Sequence, residues 1–418
     1  MRGRDVLRRD FLTVAAATGA AAFVPGLRGP ALSRPPAGQA TGPRLMTAAG
    51  PDPDQLFQAG RFEAADQGYA RLLGQDPRDA HAWAQRGYIA LLSGRLTSAG
   101  RFLRRALALA PGDTASMLRL ADCYLRQDDT TRAVPLLAAG GDRIDATLYS
   151  AVRGAPYRIG GASSARLPWR TIDPLPSVTA SVNGTQTECT LDTGATFTIS
   201  PATAKAAGVR PAATVLVNHG RGPVPSYIGV VDSLRLGGIE ISGVPVMWDD
   251  TPGQVPGVIG TTILSRFAVT TMDYAGRALV LGRRPASRPA GAVTAPLWLA
   301  PDHFLFSSGN VGHAGPGLVL LDTGGVGLGL VLTAAQAAAA GIVPERAQPV
   351  NDLGVTGYPC TAQAALGGLP PRTVPGFVGP IAPPADFGFG YLGTLSHEIF
   401  KPLSVTFDFA AMALYAVP

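Results

Sequence analysis

From Pro168 onward, apolar and polar positions alternate in short runs, and the alternation predicts strands. Ser177-Val178-Thr179-Ala180-Ser181-Val182 carries a period of two and ends in Asn183-Gly184, a tight-hairpin dipeptide. The next strand, Gln186–Leu191, runs into Asp192-Thr193-Gly194-Ala195, and far downstream Leu318–Leu321 runs into Asp322-Thr323-Gly324-Gly325. A short helix is announced after each triplet: Ser200-Pro201 to Gly208 in one case, Thr333 to Gly341 in the other. Upstream the rule is different. Gly60 recurs as Gly94, Pro77 as Pro111, and Ala65 as Ala99 and Ala133, each 34 residues on. That period predicts about three helix pairs, over 53–77, 79–111 and 113–140.

The segment Ala82-Trp83-Ala84-Gln85-Arg86-Gly87-Tyr88, with small residues where helices approach closely, resembles the first helix of a tetratricopeptide repeat. The resemblance implies a solenoid stub that recruits a protein or peptide; a spacer or buttress remains the alternative. No catalytic constellation falls in this region. His81 is expected to be a surface or packing residue.

The β-rich region reads as a duplication. Asp192 and Asp322 lie 130 residues apart, as do Gly237-Gly238 and Gly367-Gly368, and Val244-Pro245 and Val374-Pro375. Ile259-Gly260 is matched with Leu392-Gly393, and Thr271-Met272-Asp273-Tyr274 with Thr406-Phe407-Asp408-Phe409. Two lobes, each with an apolar strand entering Asp-Thr-Gly and a later apolar-apolar-Gly segment, resemble the aspartic proteases. The turn and helix around Asp192 are most similar to retropepsin-like members, and two lobes in one chain are similar to pepsin.

That resemblance implies an all-β two-lobe aspartic-protease fold behind all-α tetratricopeptide-like repeats. The expected organisation is an export signal and linker over 1–44, repeats over 53–140, a linker over 141–167, and lobes over 168–285 and 290–418. Asp192 and Asp322 are then the catalytic pair. Two carboxyls about 3 Å apart share one proton, so that one activates a water and the other polarises the peptide carbonyl; aspartic proteases are a standard instance of such coupling. Thr193 and Thr323 are expected to brace the two loops, and Gly194 and Gly324 to let the backbone turn beside the carboxyls. Candidate flap residues are His219, Gly220 and Tyr227 in the first lobe and Gly354 and Thr356 in the second. Ala195 and Gly325 stand where pepsin-like triplets often have Ser. The substrate expected is a peptide or protein, with no cofactor. A non-catalytic peptide-binding or scaffold protein that keeps the fold is the alternative.

Composition narrows the choice. Gly and Pro make 89 of the 418 residues without a collagen period, which suits turn-rich β structure. The formal charge is +6, but +5 of it lies in residues 1–44. There a basic head precedes the apolar run Leu12–Val24, the layout of a secretion signal, and Leu7-Arg8-Arg9-Asp10-Phe11-Leu12-Thr13 resembles the twin-arginine export signal. The expectation is a periplasmic or secreted protein, with no permanent membrane span after signal removal. The remaining 28 basic and 27 acidic residues nearly cancel, so no nucleic-acid partner is expected. Cys123, Cys189 and Cys360 are too few for a disulfide framework. No metal site is expected: His303 and His313 are ten apart, and His397-Glu398 lacks the second His of a zinc helix. The run Gly324–Gly329 fits no phosphate-binding loop, and no GxSxG elbow occurs.

Overall fold

The computed structural model describes residues 51–218, 223–251, 253–301, 303–346, 349–352, 355–380 and 385–418. The expected export signal, residues 1–44, lies outside them. The described residues divide into two compact units: 51–146 with Ala385–Tyr391, and those within Thr147–Pro384 with Leu392–Pro418.

The first unit is helical. Its helices are α1 (Pro53–Gln58), α2 (Phe62–Gln75), α3 (Ala80–Leu92), α4 (Leu96–Leu109), α5 (Thr114–Leu125) and α6 (Thr130–Gly140); α7 (Arg143–Ser150) follows. The 34-residue period has a physical basis at each recurring position. Gly60, Gly94 and Asp128 take positive φ (73°, 67° and 58°) where one helix of a pair turns into the next. Asp79 and Asp113 cap α3 and α5, each carboxylate accepting from the backbone N–H three residues on. Ala65, Ala99 and Ala133 are fully buried, because a larger side chain would hold the packed helices apart. His81 reaches Asp54, which also accepts from the Tyr69 hydroxyl.

The second unit holds two β lobes. The segment expected as a linker, 141–167, instead carries α7 and two strands, β1 (Arg158–Gly161) and most of β2 (Ser164–Pro168). Both strands are short and mostly exposed, so they leave no alternation of apolar and polar positions to read. The first lobe continues with β3 (Ser177–Val182), β4 (Thr185–Asp192), β5 (Thr198–Ile199), α8 (Pro201–Ala206), β6 (Ala213–Asn218) and β7 (Pro223–Leu236). It closes with β8 (Ile239–Asp249), β9 (Gly257–Gly260), α9 (Thr261–Leu264), β10 (Val269–Asp273) and β11 (Ala278–Gly282).

The second lobe runs β12 (Val293–Leu299), β13 (Leu305–Val311), β14 (Ala314–Leu321), β15 (Leu330–Leu332), α10 (Ala334–Ala339) and β16 (Val350–Asp352). Then come β17 (Val355–Leu366), β18 (Arg372–Val378), β19 (Thr394–Leu395), α11 (His397–Phe400), β20 (Ser404–Asp408) and β21 (Ala413–Val417). Within the sheets, the order β8-β5-β9-β4-β3 of the first lobe recurs as β18-β15-β19-β14-β13 in the second. The strand that enters each Asp-Thr-Gly turn pairs in parallel with a later strand of its own lobe, β4 with β9 and β14 with β19.

The lobes are joined by β10 and β20, which pair antiparallel with Thr271 opposite Thr406 at the centre of the register. Their hydroxyls meet at 2.8 Å. One sequence match shifts. Leu191 lies beside Ile259 and Leu321 beside Leu395, so the partner of Ile259-Gly260 is Leu395-Ser396 and not Leu392-Gly393. Gly393 matches Gly260 in residue type alone, whereas strand register is set by backbone pairing.

Candidate active site

Both Asp-Thr-Gly turns follow the last residues of a buried strand, and the two turns meet. Asp192 and Asp322 are 3% and 8% exposed, and Thr193 and Thr323 are fully buried. The Thr193 N–H donates to Thr323 Oγ1 at 3.0 Å, and the Thr323 N–H donates to Thr193 Oγ1 at 3.0 Å. Each hydroxyl then donates onward to the other lobe's strand, Thr193 to the Leu321 carbonyl at 3.0 Å and Thr323 to the Leu191 carbonyl at 3.5 Å. The two threonines thus tie the loops together by four reciprocal bonds.

Within each loop the glycine N–H donates to the aspartate two residues before it, Gly194 to Asp192 Oδ1 at 2.7 Å and Gly324 to Asp322 Oδ1 at 2.8 Å. The same glycines set how closely the lobes approach. A Cβ on Gly194 would lie 2.5 Å from the Asp322 carboxyl carbon, and one on Gly324 would lie 2.3 Å from Asp192 Oδ2. Each carboxyl therefore sits over the opposite lobe's glycine, and the two carboxyls hydrogen-bond to one another.

Residues 178–263 match the aspartyl protease family model. The β unit has an aspartic-protease fold. Residues 54–114 and 90–154 match two tetratricopeptide repeat families, so the helical region is tetratricopeptide repeats. Among solved structures, a retropepsin-like aspartic protease from Rickettsia conorii is similar at 17% identity, covering 30% of this chain and 92% of that one, with a TM-score of 0.24. No curated protein matches the chain.

In the aspartic-protease unit, burial raises the Asp192 carboxyl well above the usual range, and the neighbouring Asp322 charge adds to it. Burial raises Asp322 as well, opposed by the Gly324 N–H. A desolvated pair of this kind holds one proton against loss, since the second ionisation would place two like charges side by side.

The structure adds four residues that sequence reasoning missed. The Thr261 hydroxyl donates to the Thr193 carbonyl at 2.8 Å, and the Thr262 hydroxyl accepts from the Phe197 N–H at 3.0 Å. In the second lobe the Ser396 hydroxyl donates to the Asp322 carbonyl at 2.7 Å and accepts from the Gly325 N–H at 3.0 Å. A Cβ on residue 325 would fall 2.2 Å from that hydroxyl, which accounts for glycine where Ser often stands. Fourth is His303, 1% exposed, whose Nε2 donates to the Gly194 carbonyl at 3.0 Å. Its Nδ1 has no hydrogen-bond partner among the described residues, and burial pushes the ring down to about 4. The repeated apolar strand ends at Ile259 and Leu395 were the available signal for Thr261 and Ser396; nothing local marked His303.

Of the expected flap residues, Tyr227 and Thr356 fall among the described residues. His219, Gly220 and Gly354 lie outside the described residues. Tyr227 stands on β7 opposite Trp248 and its hydroxyl donates to Asp250 Oδ2 at 2.8 Å. Thr356 stands on β17 opposite Asn351. Among the described residues, one group offers several metal-ligand atoms, Asp173, His397 and Glu398 within 4.8 Å of one another. The Lys401 ammonium lies against Asp173 and 2.9 Å from Glu398, so a fixed cation already stands there.

Proposed function

We propose that the chain is an exported aspartic endopeptidase. The observation that carries the reading is the reciprocal arrangement of Asp192 and Asp322: buried, hydrogen-bonded to one another, and braced by the crossed Thr193 and Thr323 bonds. The ionised carboxyl takes a proton from a water held between the pair. Its protonated partner donates to the substrate carbonyl oxygen as that oxygen gains negative charge, and the tetrahedral intermediate collapses as the leaving nitrogen is protonated. The proton belongs to the pair, so neither residue is the acid by itself. Both carboxyls come from one chain, so one chain suffices for the chemistry. The tetratricopeptide repeats bring a protein partner or substrate, and the Arg8-Arg9 signal directs the chain out of the cytoplasm.

The test is purified protein on a mixed peptide library from acidic to neutral pH. Asp192→Asn and Asp322→Asn should each lower cleavage by about 10²–10⁴-fold, the usual worth of a positioned acid or base. Full cleavage by either variant would sink the pair as the catalytic group. Peptide binding without cleavage at any pH would identify a binding module instead. For export, Arg8→Lys combined with Arg9→Lys should leave the protein in the cytoplasmic fraction; unchanged export would refute the twin-arginine route.

A further inference from the structure

Between β18 and β19 the chain runs through Ala385-Asp386-Phe387-Gly388-Phe389-Gly390-Tyr391, an alternation of aromatic residues and glycines behind an acid. This segment belongs to the helical unit, although the chain on both sides of it belongs to the β unit. It has no helix or strand of its own. Two rings anchor it. Phe389, 8% exposed, sits edge-on to Phe57 and Phe62 with ring centres 5.8 and 5.0 Å away, and 6.4 Å from Tyr88. Phe387, 3% exposed, stacks on Phe389 at 5.6 Å.

The main chain completes the fit. The Gly390 N–H donates at 2.8 Å to the carbonyl of Gln58, the last residue of α1, whose helix offers that oxygen no partner of its own. Gly388 takes a φ of 73°, a left-handed backbone that favours glycine, as the segment passes the Phe57 ring. The exposed Asp386 carboxylate accepts from the Gly388 N–H at 3.0 Å and so holds the segment's own turn. Aromatic anchors in a buried cup and a main-chain bond are usual elements of peptide recognition.

We propose that Ala385–Tyr391 is a built-in ligand of the tetratricopeptide repeats, filling a surface that takes segments of the form aromatic–Gly–aromatic. A partner carrying such a segment must displace the chain's own copy, which is held at the high local concentration of a covalent tether. The surface is then open to a partner only when that partner is abundant or bound elsewhere as well.

The probe is a labelled synthetic peptide of sequence Ala-Asp-Phe-Gly-Phe-Gly-Tyr, used with the full chain. Phe387→Ala combined with Phe389→Ala frees the surface, so the peptide should bind this variant at least about tenfold more tightly than the unaltered chain. Equal binding to both, binding to neither, or loss of the variant's helical circular dichroism overturns the proposal, the last because it makes the segment a core filler. A second measurement needs no variant. Excess unlabelled peptide should speed chymotrypsin cleavage of the unaltered chain after Phe389, while a peptide with both Phe replaced by Ala should not. No acceleration, or equal acceleration by both peptides, overturns it. Neither readout involves catalytic turnover, so the outcome is independent of the endopeptidase reading.

Discussion

At residues 194 and 324 the room available for a side chain is smaller than one methyl group, because the opposing carboxyl occupies it. Gly194→Ala should therefore push the loops apart and lower peptide cleavage by about 10²-fold, the scale on which a displacement of about 1 Å at a reacting centre acts; unchanged turnover would show that the carboxyls tolerate separation. The threonines are tied to stability as well. Thr193→Val leaves the Thr323 N–H and the Leu321 carbonyl buried without their partner, at a cost of about 1–3 kcal/mol each. Thermal unfolding reads that directly. The carboxyls act in the opposite sense. A carboxyl whose folded value is raised gives full stability below its unfolded value and loses it as pH rises through the folded value. Asp192→Asn, with no charge to bury, should raise the melting temperature at about pH 7 and change it little at about pH 3. A lower melting temperature at about pH 7 would contradict that sign.

Among elements, what could be read in the sequence was what repeats or stays local. Gly60 and Gly94 mark helix-pair turns because each pair needs the same sharp reversal; at the third such turn Asp128 takes the positive φ without a glycine to announce it. The Asp-Thr-Gly turns could be read because an apolar strand runs into each of them. Contacts across long separations without a local pattern left no trace: His303 lies 109 residues from Gly194. The exposed strands β1 and β2 carry no alternation, and the docking of Phe389 on α1 and α2 joins chain ends more than 300 residues apart. The role of Ser396 gives a prediction at this scale. Ser396→Ala keeps the β19–β14 pairing but removes both hydroxyl bonds at the Asp322 loop. It should lower kcat by about tenfold with KM little changed; an effect on KM alone would place the loss in binding.

For the whole molecule, pH sets two opposed trends. Burial lowers His303 and His397 to about 4, below the ordinary histidine range. Groups depressed in the fold give full stability above their unfolded value of about 6.5 and lose it as pH falls toward 4. Stability should therefore decline on acidification over that interval, offset by the carboxyl pair, and His303→Gln should flatten the decline as followed by thermal unfolding against pH. An unaltered slope would show that His303 does not gain a proton there. No helix among the described residues is long and apolar enough to cross a membrane.

The junction between the lobes has a further consequence. Thr271 faces Thr406, and Thr193 trades bonds with Thr323, so each tie returns itself when the lobes are exchanged. Two identical lobes could make that junction. What a single chain adds is the freedom for the halves to differ, and they do: Ala195 with Thr261 on one side, Gly325 with Ser396 on the other. The two carboxyls therefore rest on loops held by different side chains, and exchanging the lobes would not return the same surroundings.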